Sequence, residues 1–120
     1  MPSMTIYKRG HVVVVNVPYS NHSGVKPRPA LVISAQAFHR ELPDLIVCPI
    51  SSQARYYRRP GLGDYPIREW RAVGFRYPSA VRISKLLAVD KQTIKTNLGF
   101  LSAQDLARVE AGLREALGLR

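Results

Sequence analysis

Two short segments, residues 26–34 and 47–52, carry the side chains best suited to chemistry, and each joins a loop to an apolar strand. Arg28 stands between two prolines, whose rings restrict the backbone around it. A guanidinium held at such a stiff site can stabilise negative charge that develops on a phosphoryl oxygen in a transition state. Ser51 and Ser52 end the second segment and can donate hydrogen bonds to the same phosphate. The two segments therefore favour phosphoryl-transfer chemistry.

Each of these residues also has a simpler structural interpretation. Arg28 would serve as a surface ion-pair residue, and the two serines would satisfy backbone groups at the end of a strand. The sequence contains no Cys/His cluster with zinc spacing and no glycine-rich phosphate-binding motif, and its eight carboxylates are scattered. We therefore expect neither a metal nor a cofactor.

Basic residues are concentrated in the middle of the chain. The 120 residues carry 18 Lys and Arg against 8 Asp and Glu, a formal charge of +10. Residues 51–95 hold ten basic and three acidic residues, a local charge of +7. Arginine binds phosphate oxygens in a bidentate manner, and interleaved aromatic rings can stack on unpaired bases. We therefore predict that RNA is bound by Lys26, Ser52, Arg55, Tyr56, Arg58, Arg59, Arg82 and Lys85. The alternative is that the basic residues serve solubility alone.

Hydrophobic patterning predicts a mostly β domain. Apolar runs at residues 11–17, 30–34 and 45–50 are too short for substantial helices and predict three strands in a meander. Residues 79–84 alternate as a strand, which residues 86–89 either extend or follow as a separate strand.

The segments between these strands contain turn-forming residues. Residues 18–29, with three prolines, and the arginine-rich residues 51–64 are predicted to be exposed loops. Residues 67–73 predict a short strand or an irregular segment, in which Trp70 favours core packing over base stacking. Gly99 is typical of a turn.

One clear helix is predicted at the end of the chain. Ser102 is a good N-cap, and Gly118 marks the end of the helix. One apolar face is formed by Leu106, Val109, Leu113 and Leu117. The charged residues Asp105, Arg108, Glu110, Arg114 and Glu115 are typical of a solvated face.

Length and composition predict one domain, residues 1–120, of mainly β (α+β) class: a small barrel or rolled sheet of antiparallel strands with a C-terminal helix. Cys48 is the only cysteine, so an internal disulfide is impossible, and its apolar neighbours predict a buried, inert thiol. No stretch reaches the ~20 apolar residues of a membrane span. We expect a cytoplasmic protein with no membrane partner.

In these segments the chain resembles the MazF/PemK family, the ribonuclease toxins of type II toxin–antitoxin pairs. The resemblance covers nearly the whole chain and depends on five motifs in the order that the family shows. These motifs are Arg9-Gly10 before a valine-rich strand, Arg28-Pro29-Ala30-Leu31-Val32-Ile33-Ser34, Pro49-Ile50-Ser51-Ser52, Pro78-Ser79-Ala80-Val81-Arg82 and Leu98-Gly99-Phe100-Leu101-Ser102. Each motif is weak alone, but five in register are specific.

The resemblance implies an SH3-like barrel of PemK type, a homodimer and a MazE-like acidic antitoxin as partner. It also implies metal-independent cleavage of single-stranded RNA at short sequences. The ribose 2′-hydroxyl would attack the neighbouring phosphate and leave a 2′,3′-cyclic phosphate and a 5′-hydroxyl. The family's catalytic arginine falls on Arg28, and its catalytic hydroxyl residue falls on Ser51.

Three positions depart from the family pattern. His11 stands where the family usually has Asp, Asn16 stands where an acid is common, and Ser51 replaces the usual threonine. Arginine is a poor general base because it stays protonated, so a group that titrates near neutrality is needed. His22 is the candidate, and its alternative is an exposed loop histidine with no role. The rival function is a binding module that holds nucleic acid or a protein target without cutting it.

Overall fold

The computed structural model of this protein describes residues 6–18, 21 and 23–120. These residues form seven β-strands and four α-helices. The strands are β1 (His11–Pro18), β2 (Val25–Val32), β3 (Asp44–Ser51), β4 (Asp64–Pro66), β5 (Ala80–Arg82), β6 (Leu87–Asp90) and β7 (Thr96–Phe100). The helices are α1 (Gln36–Glu41), α2 (Ala54–Arg58), α3 (Trp70–Val73) and α4 (Ala103–Leu117). Among the described residues, no helix is long and apolar enough to cross a membrane.

The strands pair antiparallel in the order β4-β5-β3-β2-β1-β7, and β6 pairs with the first half of β3. Consecutive pairing of β1, β2 and β3 confirms the predicted meander. The predicted class, mainly β with antiparallel strands and a C-terminal helix, is also confirmed.

Both faces of the central strands are buried, which explains why their sequences are continuously apolar. Side chains alternate between the two faces of a strand. In β1, Val12 packs in one hydrophobic cluster while Val13 and Val15 pack in the other. In β3, Cys48 packs in the same cluster as Val12, and Val47 packs in the same cluster as Val13 and Val15. The Cys48 thiol is fully buried, and burial raises its pKa to about 12, so the predicted burial is confirmed and the thiol stays neutral at physiological pH.

The predicted loop at residues 18–29 is wrong over its second half, because β2 already begins at Val25. Proline has no N–H for a sheet ladder, which argued against a strand there. From Val25 to Pro29, however, β2 pairs only with β1, and pairing with β3 starts at Ala30. Prolines are tolerated where a strand has a neighbour on one side only.

Two segments that were predicted to lack helix contain short helices. Helix α2 interrupts the predicted loop at residues 51–64, and α3 replaces the predicted strand or irregular segment at residues 67–73. Helices of four or five residues show too little periodicity to be recognised in a sequence. Residues 79–84 form β5 and then a 3₁₀ turn, so β6 is a separate strand.

Gly99 lies inside β7 and not in the predicted turn. The pairing of β1 with β7 shifts register at this point, from Val12 opposite Gly99 to Val13 opposite Asn97. The backbone of Gly99 has φ +141°, which other residues rarely adopt. The conformational freedom of glycine is thus used for a β-bulge.

Helix α4 is confirmed at both ends. The Ser102 Oγ accepts the N–H of Asp105, and Gly118 ends the helix in the left-handed conformation. Val109 is buried and Leu106 and Leu113 pack on the same core, whereas Leu117 is 57% exposed and does not belong to the buried face. Asp105, which was predicted on a solvated face, is only 2% exposed, because its carboxylate accepts hydrogen bonds from a neighbouring loop.

Candidate active site

A cleft of about 320 Å³ opens where the ends of β1, β2 and β3 meet α2, β5 and the start of β6. Among the described residues, its lining includes four basic side chains and no carboxylate. The lining residues are Val17, Pro18, Arg28, Pro49, Ile50, Ser51, Gln53, Arg55, Tyr56, Arg82, Lys85 and Leu87. A concave surface with charge of one sign concentrates ligands of the opposite sign.

Arg28 reaches the cleft from the half of β2 that has a single neighbour. Its backbone lies opposite Val15 of β1, and prolines precede and follow it. The residue is half-buried. A strand residue between two prolines has little backbone freedom, so the backbone position from which the guanidinium extends is fixed.

Ser51 is the last residue of β3 and is 6% exposed. Its Oγ accepts the backbone N–H of Gln53 at 3.2 Å, so the serine does satisfy a backbone group at the strand end. A hydroxyl that accepts one hydrogen bond still has its own proton to donate. The structural and the chemical interpretations of Ser51 are therefore compatible.

Arg82 and Tyr56 form a fixed stack on one wall of the cleft. The Arg82 guanidinium carbon lies 3.8 Å from the centre of the Tyr56 ring, and that of Arg55 lies 4.8 Å from the same centre. The Arg82 Nε donates to Asp64 at 3.4 Å, and the other carboxylate oxygen of Asp64 accepts the N–H of Gly61 at 3.0 Å. Two guanidinium groups therefore lie over the Tyr56 ring, and a nucleotide base in the cleft would contact a combined guanidinium–tyrosine surface.

Five of the predicted RNA-binding and catalytic side chains lie elsewhere or cannot be placed. Lys26, Ser52, Arg58 and Arg59 are exposed and do not line the cleft. His22 lies outside the described residues. By contrast, Arg28, Ser51, Arg55, Tyr56, Arg82 and Lys85 converge on the cleft.

Gln53 was missed by sequence reasoning. In the part of the chain that the structure describes, it is the one uncharged polar lining residue besides the hydroxyl residues Ser51 and Tyr56. It lies between β3 and α2, so its amide is available to a ligand beside Ser51. Its position two residues after Ser51 was the only signal in the sequence.

The two histidines within the described part of the chain do not line the cleft. His39 is buried, and its ring nitrogens lie 2.9 Å from the Tyr7 carbonyl oxygen and 2.5 Å from the Ser34 Oγ. His11 stacks on Phe100 with ring centres 4.1 Å apart. Burial, and then the nearby charge of a lysine, lower the pKa of His11.

Among the described residues, no group of three or more His, Cys, Asp and Glu side chains is arranged to hold a metal ion. The ligands that the cleft offers are instead guanidinium, ammonium, hydroxyl and amide groups. Such groups recognise phosphate oxygens and base edges.

The fold and the cleft together define a small β protein suited to binding a phosphate-bearing polyanion. The sequence pattern of the PemK-like, MazF-like toxins of type II toxin–antitoxin systems matches residues 8–117. The chain therefore belongs to this toxin family. A search of curated proteins gives no match.

Several solved structures have the same fold as this chain. The chain is 24% identical to MazF of Deinococcus radiodurans, with a TM-score of 0.75 over 96% of this chain and 99% of that chain. A MazE–MazF complex from the same organism gives 24% identity and a TM-score of 0.73 over 97% and 100% of the two chains. An endoribonuclease in complex with its cognate antitoxin, from a Mycobacterial species, gives 17% identity and a TM-score of 0.73 over 98% of each chain. At these identities the likeness establishes the fold.

Proposed function

We propose that this toxin is an endoribonuclease that cleaves single-stranded RNA without a metal ion. The observation that carries the proposal is the convergence of Arg28 and Ser51, which are far apart in the sequence, on one basic cleft. A protein that only binds RNA needs cationic side chains, but it has no need of a buried hydroxyl beside a backbone-restricted arginine.

The reaction that fits these groups is transesterification within the RNA. The 2′-oxygen forms a bond to the adjacent phosphorus as the bond from phosphorus to the 5′-oxygen breaks. The 2′-hydroxyl loses its proton to a base, and the departing 5′-oxygen gains a proton from an acid. The products are a 2′,3′-cyclic phosphate and a 5′-hydroxyl, and no water enters this step.

Arg28 would stabilise the negative charge that accumulates on the non-bridging phosphate oxygens. Its guanidinium can hold two of these oxygens at once, and its restricted backbone reduces the entropy lost on binding. Ser51 would donate its proton to one of the same oxygens, since its Oγ accepts the Gln53 N–H and keeps its own proton free to donate. Both groups would act on charge and not as proton acceptors.

Proton transfer needs a further group. The polar side chains that line the cleft in the described part of the chain are arginine, lysine, tyrosine, serine and glutamine, and none of them is an imidazole or a carboxylate. Imidazole is the side-chain group best suited to general-base catalysis near neutral pH, so His22 remains our candidate. A rate that rises with pH and levels near neutrality in the wild type, but not in His22→Gln, would support this role.

The substrate should be unpaired RNA at a short specific sequence. Alignment of the 2′-oxygen, the phosphorus and the 5′-oxygen requires the nucleotide to leave A-form geometry, which a duplex resists. A splayed base can stack beside the Arg82–Tyr56 surface, and the Gln53 amide can bind a base edge.

The partner of the toxin in its cell should be a MazE-like antitoxin with a flexible acidic segment that covers the cleft. A polyanionic segment would compete with RNA for Arg28, Arg55, Arg82 and Lys85, and salt should weaken its binding. We further propose that the toxin is a homodimer and acts in the cytoplasm, where its RNA substrates occur.

The test is incubation of the purified protein with a long single-stranded RNA in the presence of EDTA. We expect defined fragments with cyclic-phosphate ends from the wild type, and none from Arg28→Ala. Arg40→Ala, which removes an exposed arginine on α1 outside the cleft, is the matched control and should cut normally. RNA that is bound but left intact by the wild type would favour the binding-module alternative and overturn the proposal.

A further inference from the structure

A second group of exposed basic and aromatic side chains lies outside the cleft, on the segment between β4 and β5. We call it the flanking patch, and it consists of Arg68, Arg71, Arg76 and Tyr77. All four residues are exposed, and Tyr77 is 66% exposed. None of them lines the cleft. The one acidic residue on this segment is Glu69, so the segment keeps an excess of positive charge.

We propose that the flanking patch binds the single-stranded RNA beside the cleaved phosphate, as an extension of the active-site cleft. This inference rests on the proposed ribonuclease function, and it adds a binding surface that the catalytic step itself does not need. It predicts that long RNAs are better substrates than the shortest RNA that fills the cleft.

The flanking patch lies close to Ser51 along the sheet. Ser51 lies directly opposite Ala80, the first residue of β5. The chain just before β5 stays paired with the residue that follows β4, since the Ile67 N–H donates to the Ser79 carbonyl oxygen at 2.9 Å. Three Cα steps of about 3.8 Å and one strand spacing of about 5 Å place the Tyr77 Cα within roughly 17 Å of the Ser51 Cα. A few nucleotides of extended RNA cover such a distance.

The patch is also anchored before any ligand binds. The buried carboxylate of Asp105 accepts the backbone N–H groups of Arg68 and Glu69 at 3.1 and 3.0 Å. The Ser79 hydroxyl donates to the Tyr77 carbonyl at 3.1 Å. A surface that is already ordered loses less conformational entropy on binding.

The exposed groups of the patch combine cations with aromatic surfaces. The Arg71 guanidinium carbon lies 4.5 Å from the centre of the Trp70 ring, so this planar cation lies over an indole. Guanidinium planes and tyrosine rings are surfaces on which unpaired bases stack. Arginines that alternate with such surfaces suit a ligand with both phosphates and bases. An acidic peptide would use the charges but would have little use for the aromatic surfaces, so the patch favours RNA.

The test compares two substrates, a long unstructured RNA and a minimal oligonucleotide that holds only the mapped cut and the nucleotides filling the cleft. For Arg76→Ala and Tyr77→Ala we expect KM on the long RNA to rise about tenfold, on the scale of one lost stack or phosphate contact. We expect kcat on the long RNA and both constants on the minimal substrate to stay unchanged. Arg40→Ala is the control, and thermal melting verifies that each variant is folded.

Salt dependence separates the two kinds of contact. Loss of one phosphate contact to a single strand should reduce the slope of log affinity against log salt by about 0.7. Arg76→Ala should show this reduction and Tyr77→Ala should not.

Several results would overturn the inference. One is an equal effect of the variants on both substrates, and another is no effect on either substrate. A third is normal cleavage of both RNAs combined with weaker binding of an acidic antitoxin peptide, which would make the patch an antitoxin surface. If the wild type cuts neither RNA, the proposed function fails, and binding of the labelled long RNA then decides the inference. Unchanged binding by the patch variants would reject it.

Discussion

Replacement of Asp105 by alanine should destabilise the protein far more than an ordinary change on a helix surface. The carboxylate is 2% exposed and accepts the N–H groups of Arg68 and Glu69, while Arg108 donates to it and to the Pro66 carbonyl. Burial alone would raise the pKa of Asp105, but hydrogen bonds from those N–H groups, from Arg108 and from a serine lower it overall.

The size of the effect follows from the groups that lose their acceptor. Each of the two backbone N–H groups costs about 1–3 kcal/mol when left without a partner, which gives about 2–6 kcal/mol for both. We expect Asp105→Ala to lower the free energy of unfolding by about 4 kcal/mol, a large part of the stability of a typical domain. Asp105→Asn keeps one acceptor oxygen and should lose about half as much.

The assay is urea unfolding at several pH values, with Glu115→Ala as control. Glu115 is exposed on the same helix, and its loss should change stability by no more than about 0.5 kcal/mol. Because the folded pKa of Asp105 is lowered, its ionised form stabilises the protein above the unfolded pKa of about 3.9, and this contribution is lost as pH falls through the folded pKa. A difference below about 1 kcal/mol at pH 7, or one that persists unchanged at low pH, would refute the reasoning.

Further outcomes are expected. Ser51→Ala should lower kcat by about 10² in protein that remains folded, the scale for loss of one donor to a transition-state oxyanion, while Ser52→Ala, outside the cleft, should cut normally; the reverse order would place the hydroxyl role on Ser52. Gly112→Ala should lower stability by about 1–3 kcal/mol in thermal unfolding, because the new Cβ would lie 2.2 Å from the Tyr65 ring, whereas helix propensity alone would raise stability. Burial and a nearby lysine lower the folded pKa of His11, so the unfolded state binds more protons; stability should rise as pH increases from the folded pKa towards about 6.5 and level off above it, and His11→Gln should remove that rise.

The elements that the sequence predicted well are those in which local pattern and tertiary environment agree. The valine run of β1 and the capped, periodic α4 are examples. The first half of β2 was read as a loop because proline normally opposes a strand, and only the sheet order leaves that half with one neighbour. Asp105 was read as a surface charge because its partners lie in a loop some 36 residues away.

The residues of the candidate site also fall into two groups, those that local motifs indicate and those that only the tertiary structure brings together. Arg28 and Ser51 were identified from motifs at strand ends, and the structure brings them to one cleft. The contacts that fix Arg82, with Asp64 and with Tyr56, depend on strand pairing and on a short helix, so no local pattern indicates them. The same limit applied to Gln53, whose role depends on its position over the cleft.

The most direct test of the proposed mechanism is cleavage of an RNA in which the single 2′-hydroxyl at the mapped cut is replaced by hydrogen. If the 2′-oxygen is the nucleophile that Arg28 and Ser51 assist, the substituted RNA should bind the toxin as tightly as the parent RNA and remain uncut at that position. Cleavage at a comparable rate would mean that water or a side chain attacks the phosphorus, and the mechanism would be wrong.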